Sequence, residues 1–234
     1  MSETLHLHPT APLAERVLLP GDPGRALLLA QSLLAEPRMF NHHRGLWGYT
    51  GAAADGEPLT IQSTGMGGPS AAIVISELVE LGARTMLRVG TCGALVQSLG
   101  LGELLIAEAA LVADGASAAL GAPDRVRASP ALLRALQTAA GADAHTATVV
   151  STDLFYDPGR REHGWRSAGA SAVEMETAVL FTLGGVHGIR AGSLLIVSDT
   201  ILPERRRIAA DALTAAEHRL GDLATSALSG LPVR

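Results

Sequence analysis

The chain has 234 residues, an apolar share of 47% and a formal net charge of −5. That length and apolar content suit one α/β domain with a sizeable core. No apolar run reaches the ~18 residues of a membrane helix, and nothing points to a basic face for nucleic acid or membrane. All 18 basic residues are arginine, which excludes a lysine Schiff base, pyridoxal phosphate held through one, and a Walker-type phosphate loop.

The first dozen residues, MSETLHLHPTAP, lack a basic segment followed by an apolar core, and the lone Cys92 permits no intrachain disulfide. Both fit a cytoplasmic protein. Residues 17–20 form a short apolar run ending in Gly21-Asp22-Pro23, with Arg25 just beyond and a helix expected over 26–34. Strand, glycine turn, helix start and arginine together make a plausible anion site. Two strands over 47–53 and 59–63 read as a hairpin, and a helix is expected over 71–81.

Between them lies Gly65-Met66-Gly67-Gly68-Pro69-Ser70. It resembles a dinucleotide fingerprint, but Ser70 stands where Gly or Ala is needed and no acidic partner follows at the right distance. Met86, Leu87 and Val89 read as the end of a buried strand, with Gly90-Thr91-Cys92-Gly93 as the turn after it. Arg88 and Thr91 would give this turn a fixed charge and a hydroxyl for an oxyanion.

Further strands are expected over 104–112, 145–151 and 191–197, and helices over 131–140, 174–184 and 209–228. Residues 113–128 read as the least structured stretch, and 157–169 as a loop able to cover a site. Alternating strands and helices with one antiparallel hairpin argue for a mixed sheet flanked by helices, in a single domain over residues 1–234 without internal repeats.

Carboxylates stand at two places where strands end. Glu174 and Glu176 flank Met175 at a strand-to-helix transition, where capping is the simplest role for Glu174. Ser198-Asp199 follows the apolar run ending at Val197, the position where open α/β sheets place ligands. Cys92 reads as a small packing residue, and His42-His43 has no partners at metal-ligand spacing, so no metal is expected.

Taken in order, Pro20-Gly21-Asp22-Pro23 with Arg25, Arg44-Gly45 before Gly48-Tyr49-Thr50-Gly51, and Gly65-Met66-Gly67 with Pro69-Ser70 form half of a pattern. Arg88 to Ala94, Asp153-Leu154-Phe155-Tyr156, Glu174-Met175-Glu176 and Ser198-Asp199 complete it. The pattern resembles the hexameric nucleoside phosphorylase family, most closely its bacterial purine nucleoside phosphorylase branch, from about residue 15 to the closing helix.

The resemblance implies a single domain whose mixed sheet closes towards a barrel. It also implies phosphorolysis of a nucleoside to free base and pentose 1-phosphate, with inorganic phosphate as co-substrate and no cofactor. By the same resemblance Gly21, Arg25, Arg44, Arg88 and Thr91 would bind phosphate, with Arg44 reaching into the neighbouring subunit of a hexamer built as a trimer of dimers. His6 or His8, also from a neighbour, would reach the 5′-hydroxyl; spacing slightly favours His6. Met66, Met175 and Glu176 would hold the ribose. Cys92, Gly93, Phe155, Val173, Glu174, Ser198 and Asp199 would surround the base, Asp199 donating a proton to it. One of Arg205, Arg206 and Arg207 would assist that acid, with Arg207 the first choice and a solvated basic turn the alternative.

Bond cleavage through an oxocarbenium-like state builds positive charge on the sugar and negative charge on the base. Permanently charged arginines that fix phosphate suit such chemistry. Three other readings stay open. A uridine phosphorylase fits Thr91 and the loop from Phe155 to Arg161. That loop, however, has no glutamine to read uracil, and the pyrimidine branch has no counterpart of Asp199. A nucleosidase would lack the full set Arg25, Arg44 and Arg88, and a non-catalytic nucleoside-binding protein would have no use for Asp199.

Overall fold

The computed structural model describes residues 4–231, so the expected domain over 1–234 runs past the described residues at both ends. Strand β1 (Arg16–Leu19) leads into the Gly21-Asp22-Pro23 turn. There the Asp22 carboxylate accepts the Gly24 N–H at 2.6 Å and caps α1 (Pro23–Leu33). β2 (Ala35–Asn41), β3 (Gly48–Ala52) and β4 (Pro58–Gln62) follow as an antiparallel meander, and α2 (Gly68–Leu81) returns along the sheet.

The second half is β5 (Thr85–Ala94), β6 (Leu104–Ala113), α3 (Gly115–Ala119), β7 (Arg125–Arg127) and α4 (Pro130–Ala140). After these come β8 (Ala144–Thr152), α5 (Glu162–Ser167), β9 (Ala172–Glu174), α6 (Thr177–His187), β10 (Arg190–Thr200), β11 (Arg206–Arg207) and α7 (Ala210–Ser229).

The sheet closes on itself. β5 pairs with β10, β10 with β6, β6 with β8, β8 with β9 and β9 with β5, giving the expected mixed, barrel-like arrangement. β1, β4, β3 and β2 extend it from β5. Alternation along the central strands divides the core, as a period of two requires. Met86, Cys92, Leu195 and Val197 pack with α2 and α6, whereas Leu87, Val89, Leu194 and Ile196 pack with α1, α4 and α7. Among the described residues no helix is long and apolar enough to cross a membrane.

Several sequence expectations need correction. Gly90-Thr91-Cys92-Gly93 is no turn: β5 runs straight through it, paired to β10 from Thr85 to Ala94. The register slips once, between Val197 and Asp199, where Ser198 forms a bulge. Residues 113–128 hold α3 and β7, the expected loop over 157–169 holds α5, and Ala35–Asn41 is a strand that the sequence pattern does not signal. Glu174 ends β9 rather than opening a helix, which begins only at Thr177.

Candidate functional site

The carboxyl ends of β1, β5, β8, β9 and β10 surround a cavity of about 1050 Å³. At one corner stand Gly21 and Arg25, the latter on the first turns of α1, with its Nε donating to Glu217 Oε1 on α7 at 2.7 Å. Nothing in the local sequence announces that partner, 192 residues away. Glu217 lies between the buried Ala216 and Leu220 on the apolar side of α7, the one unusual sign it carries.

Arg88 is the centre of the polar knot. Its side chain is only 6% exposed, its Nε donates to Glu174 Oε2 at 3.0 Å, and its Nη2 lies 2.6 Å from Glu176 Oε2. Burial alone would lower its pKa, but the charges of Glu176 and Glu174 hold it above the ordinary arginine value. Gly90 supplies the space: a Cβ there would stand 2.7 Å from Arg88 Cζ.

Glu174 is wholly engaged by protein. Oε2 accepts the N–H groups of Glu176 and Thr177 at 2.8 Å each, and Oε1 accepts from Ser151 Oγ, which in turn accepts the Ala178 N–H. It therefore caps the start of α6 and orients Arg88 while lining the cavity. Ser151 carries no sequence signal of this role. Glu176 accepts the Gly67 N–H at Oε1, a contact made by a backbone at φ +86 that favours glycine. Burial pushes the Glu176 carboxyl above its usual range, Arg88 draws it back, and Glu174 adds to the rise.

Met66, 86% exposed, and Met175 face the same cavity beside Glu176. Further along are Thr91, Cys92, Gly93 and Val173, then Ser198 and Asp199. Burial pushes the Cys92 thiol far above its usual value, which suits a packing residue. Ser198 Oγ donates to Asp199 Oδ2 at 2.8 Å. Arg207 sits directly across from Asp199 in the β10–β11 register and lines the cavity with Arg205, whereas Arg206 pairs with Glu204 at 3.0 Å.

The mouth at this end is aromatic. Phe155 is 51% exposed, with Tyr156 edge-on at 5.0 Å and the Arg205 guanidinium 5.1 Å from the ring centre. Leu154, Trp165 and Ile201, which no sequence motif singles out for the base, complete that wall.

Two expected residues lie outside this cavity. Arg44 is exposed on the short 3-10 turn His43–Gly45 at φ +57. The His6 ring Nδ1 is 2.7 Å from Glu77 Oε1, and Glu77 also accepts the N–H groups of His6 and Leu7. Burial would raise the Glu77 carboxyl, yet the His6 ring and these amides bring it below its ordinary value. His8 stacks on His43, ring centres 3.8 Å apart. The N-terminal segment and the Arg44 turn thus form one cluster away from the cavity of their own chain.

Comparison with known proteins places this arrangement. The chain is 39% identical over 200 residues to the DeoD-type purine nucleoside phosphorylase of Geobacillus kaustophilus, covering 82% of this chain and 84% of that one. The structure of uridine phosphorylase from Vibrio fischeri ES114 superposes with a TM-score of 0.83 at 27% identity, over 94% of this chain and 93% of that one. The structure of purine nucleoside phosphorylase from Toxoplasma gondii with immucillin-H gives 0.86 at 24% identity over 98% of each chain, a likeness of fold. The Phosphorylase superfamily matches residues 15–229. The chain belongs to the phosphorylase superfamily.

Proposed function

We propose that the chain is a purine nucleoside phosphorylase, a pentosyltransferase that moves the sugar of a purine ribo- or deoxyribonucleoside to inorganic phosphate and releases the base. The observation that carries this is the collection, in one cavity, of Arg25, Arg88 and Thr91 with Glu176 and with Asp199. Arg88 pairs with Ser193 across the sheet, while Asp199 pairs with Gly93, five residues further along β5. At the usual strand rise that is about 16 Å of sheet, room for phosphate, sugar and base in line.

In this reading phosphate lies on the Gly21 turn, Arg25, Arg88 and Thr91, and acts as nucleophile at the anomeric carbon. Glu176 accepts the 2′- and 3′-hydroxyls, with Met66 and Met175 against the sugar. The anion opposite the breaking bond offsets the charge developing on the ring, so the protein's work is to orient and fix charge. The base rests on Phe155, and Asp199 protonates its N7 as the bond breaks. Arg207 lies beside that acid as the expected assisting arginine. The catalytic pair in this account is Asp199 and Arg88; inorganic phosphate is the only co-substrate.

The working particle is a homo-oligomer, a hexamer in this reading, in the cytoplasm. Arg44 and His6 stand away from their own cavity, which supports their serving a neighbour's site. Mixing Arg44→Ala with Arg25→Ala subunits should regenerate intact sites and recover activity that neither variant has alone.

The main test is base release from inosine, adenosine, guanosine and uridine, each with and without phosphate. Purine release that needs phosphate is expected; release in its absence points to a nucleosidase, and a preference for uridine to the pyrimidine reading. Asp199→Asn should cost on the order of 10²–10⁴-fold in turnover. The loss should shrink on 7-methylguanosine, whose base already carries charge at N7. An equal loss on both substrates removes Asp199 as the acid.

A further inference from the structure

Arg205 is the cation at the base end that the proposed reaction leaves unused. It lies between β10 and β11, six residues after Asp199, and lines the same cavity. Among the described residues no hydrogen bond or ion pair holds it; what it touches is the face of Phe155, at 5.1 Å from the ring centre. Arg206 beside it is tied to Glu204, so the two neighbours differ in kind. We infer that Arg205 selects purines carrying a carbonyl at the 6-position over those carrying an amine. The inference rests on the reading of the site as one for purine nucleosides.

Arg205 and Phe155 come from different loops and both line the cavity, with the guanidinium over the ring. A cation over an exposed ring is held by about 0.5–1 kcal/mol, which an incoming purine can replace by stacking. The displaced guanidinium remains tethered at the base end of the cavity, and the purine edge next to N7 carries the 6-substituent. A 6-carbonyl accepts from a guanidinium with charge assistance, whereas a 6-amino group presents its own donors to it.

The acceptors nearby do not redress the balance. Asp199 Oδ2 already accepts from Ser198, and its other oxygen delivers the proton to N7. Asp157 accepts from Arg161 at 2.8 Å and from the Gly159 N–H at 2.9 Å. Glu162, on α5, is the remaining carboxylate at this end of the cavity wall.

The test compares kcat/KM for inosine and adenosine in the wild type, Arg205→Ala and Arg205→Gln. The wild type should favour inosine by about tenfold or more, the scale of a hydrogen bond met against one left unmet. Arg205→Ala should bring the two substrates within about threefold of each other through a higher KM for inosine, with adenosine unmoved and guanosine following inosine. Arg205→Gln, which keeps a neutral donor, should fall between. Equal use of inosine and adenosine by the wild type overturns the inference, as does an equal loss on both in Arg205→Ala. Both outcomes leave the purine reading standing. Failure of both nucleosides to react removes that reading, and the inference with it.

Discussion

Two arginines approach the cavity beside glycines, and they do so by opposite means. Arg25 follows a true turn: the chain reverses at Gly21-Asp22-Pro23, Asp22 caps α1, and the guanidinium meets one carboxylate, Glu217, on the closing helix. Arg88 sits inside an unbroken strand, where Gly90 bends nothing and supplies the volume into which the guanidinium folds. One arginine is presented by a helix start and held by a single carboxylate. The other is locked between Glu174 and Glu176, whose own oxygens are held by backbone N–H groups. A preorganised charge and an adjustable one thus share the anion corner, and their substitutions should separate accordingly.

The largest effect is expected from Arg88→Ala. It leaves two buried carboxylates facing each other, and loss of one member of a buried ion pair costs about 3–5 kcal/mol. Urea unfolding should show that loss along with near abolition of phosphate-dependent turnover. Arg88→Lys, which restores charge without the fork, should recover stability before activity. If Arg88→Ala is as stable as the wild type, the knot is not what holds β5 to the start of α6.

Next comes Gly90→Ala. A Cβ 2.7 Å from a guanidinium carbon pinned on two sides has nowhere to go. Overpacking of that kind costs about 1–3 kcal/mol and should raise the KM for phosphate. A harmless Gly90→Ala would mean that the Arg88 guanidinium can shift without losing Glu174 and Glu176.

Glu176→Gln tests the cost of the locked arrangement. The Glu176 carboxyl is held above its usual range, so between its unfolded and folded pKa values the folded state binds more protons. Stability from this group therefore falls as pH rises through that window and stays reduced above it. The amide variant should lose activity while melting above the wild type at pH 7, with the gap closing at acid pH. A melting difference of equal size at both pH values would mean that Glu176 ionises in the fold without penalty.

The smallest effect belongs to the adjustable arginine. Glu217→Gln keeps a hydrogen-bond acceptor for Arg25 but removes a negative charge that competes with phosphate. The KM for phosphate should fall by about two- to fivefold, in keeping with the ~1 kcal/mol net worth of a single hydrogen bond.

The same contrast shows what can be read without a structure. Turn chemistry is local, so the Gly21-Asp22-Pro23 turn and α1 are legible, as are β10 and α7 from their apolar patterns. Gly90 misleads because a glycine that makes room and a glycine that makes a turn look alike until the neighbouring side chain is placed. Glu174 is legible as a cap but not as the orienting partner of Arg88, and Glu217 and Ser151 depend on contacts that no spacing reveals. Ala35–Asn41 escapes notice because it is mostly exposed, contains Pro37 and lies at the edge of the sheet, where hydrophobic alternation is weakest. The site residues themselves follow from motif order, and all but Arg44 and His6 lie at the one cavity.

The bulge at Ser198 has a consequence for how such a cavity can diversify. Without it Asp199 would stand opposite Ala94, in the phase of Leu195 and Val197. With it Asp199 is opposite Gly93, in phase with Thr91. The place of the acid is therefore set within the ladder: one residue more or fewer in β10 changes its partner on β5, however well the loops beyond are built. The distance from Arg88 is counted in paired residues along a ladder, and that count is insensitive to changes at the rim. Loops 153–161 and 201–205 can vary freely to suit a different base, while the sheet keeps the gauge for the sugar and its phosphate.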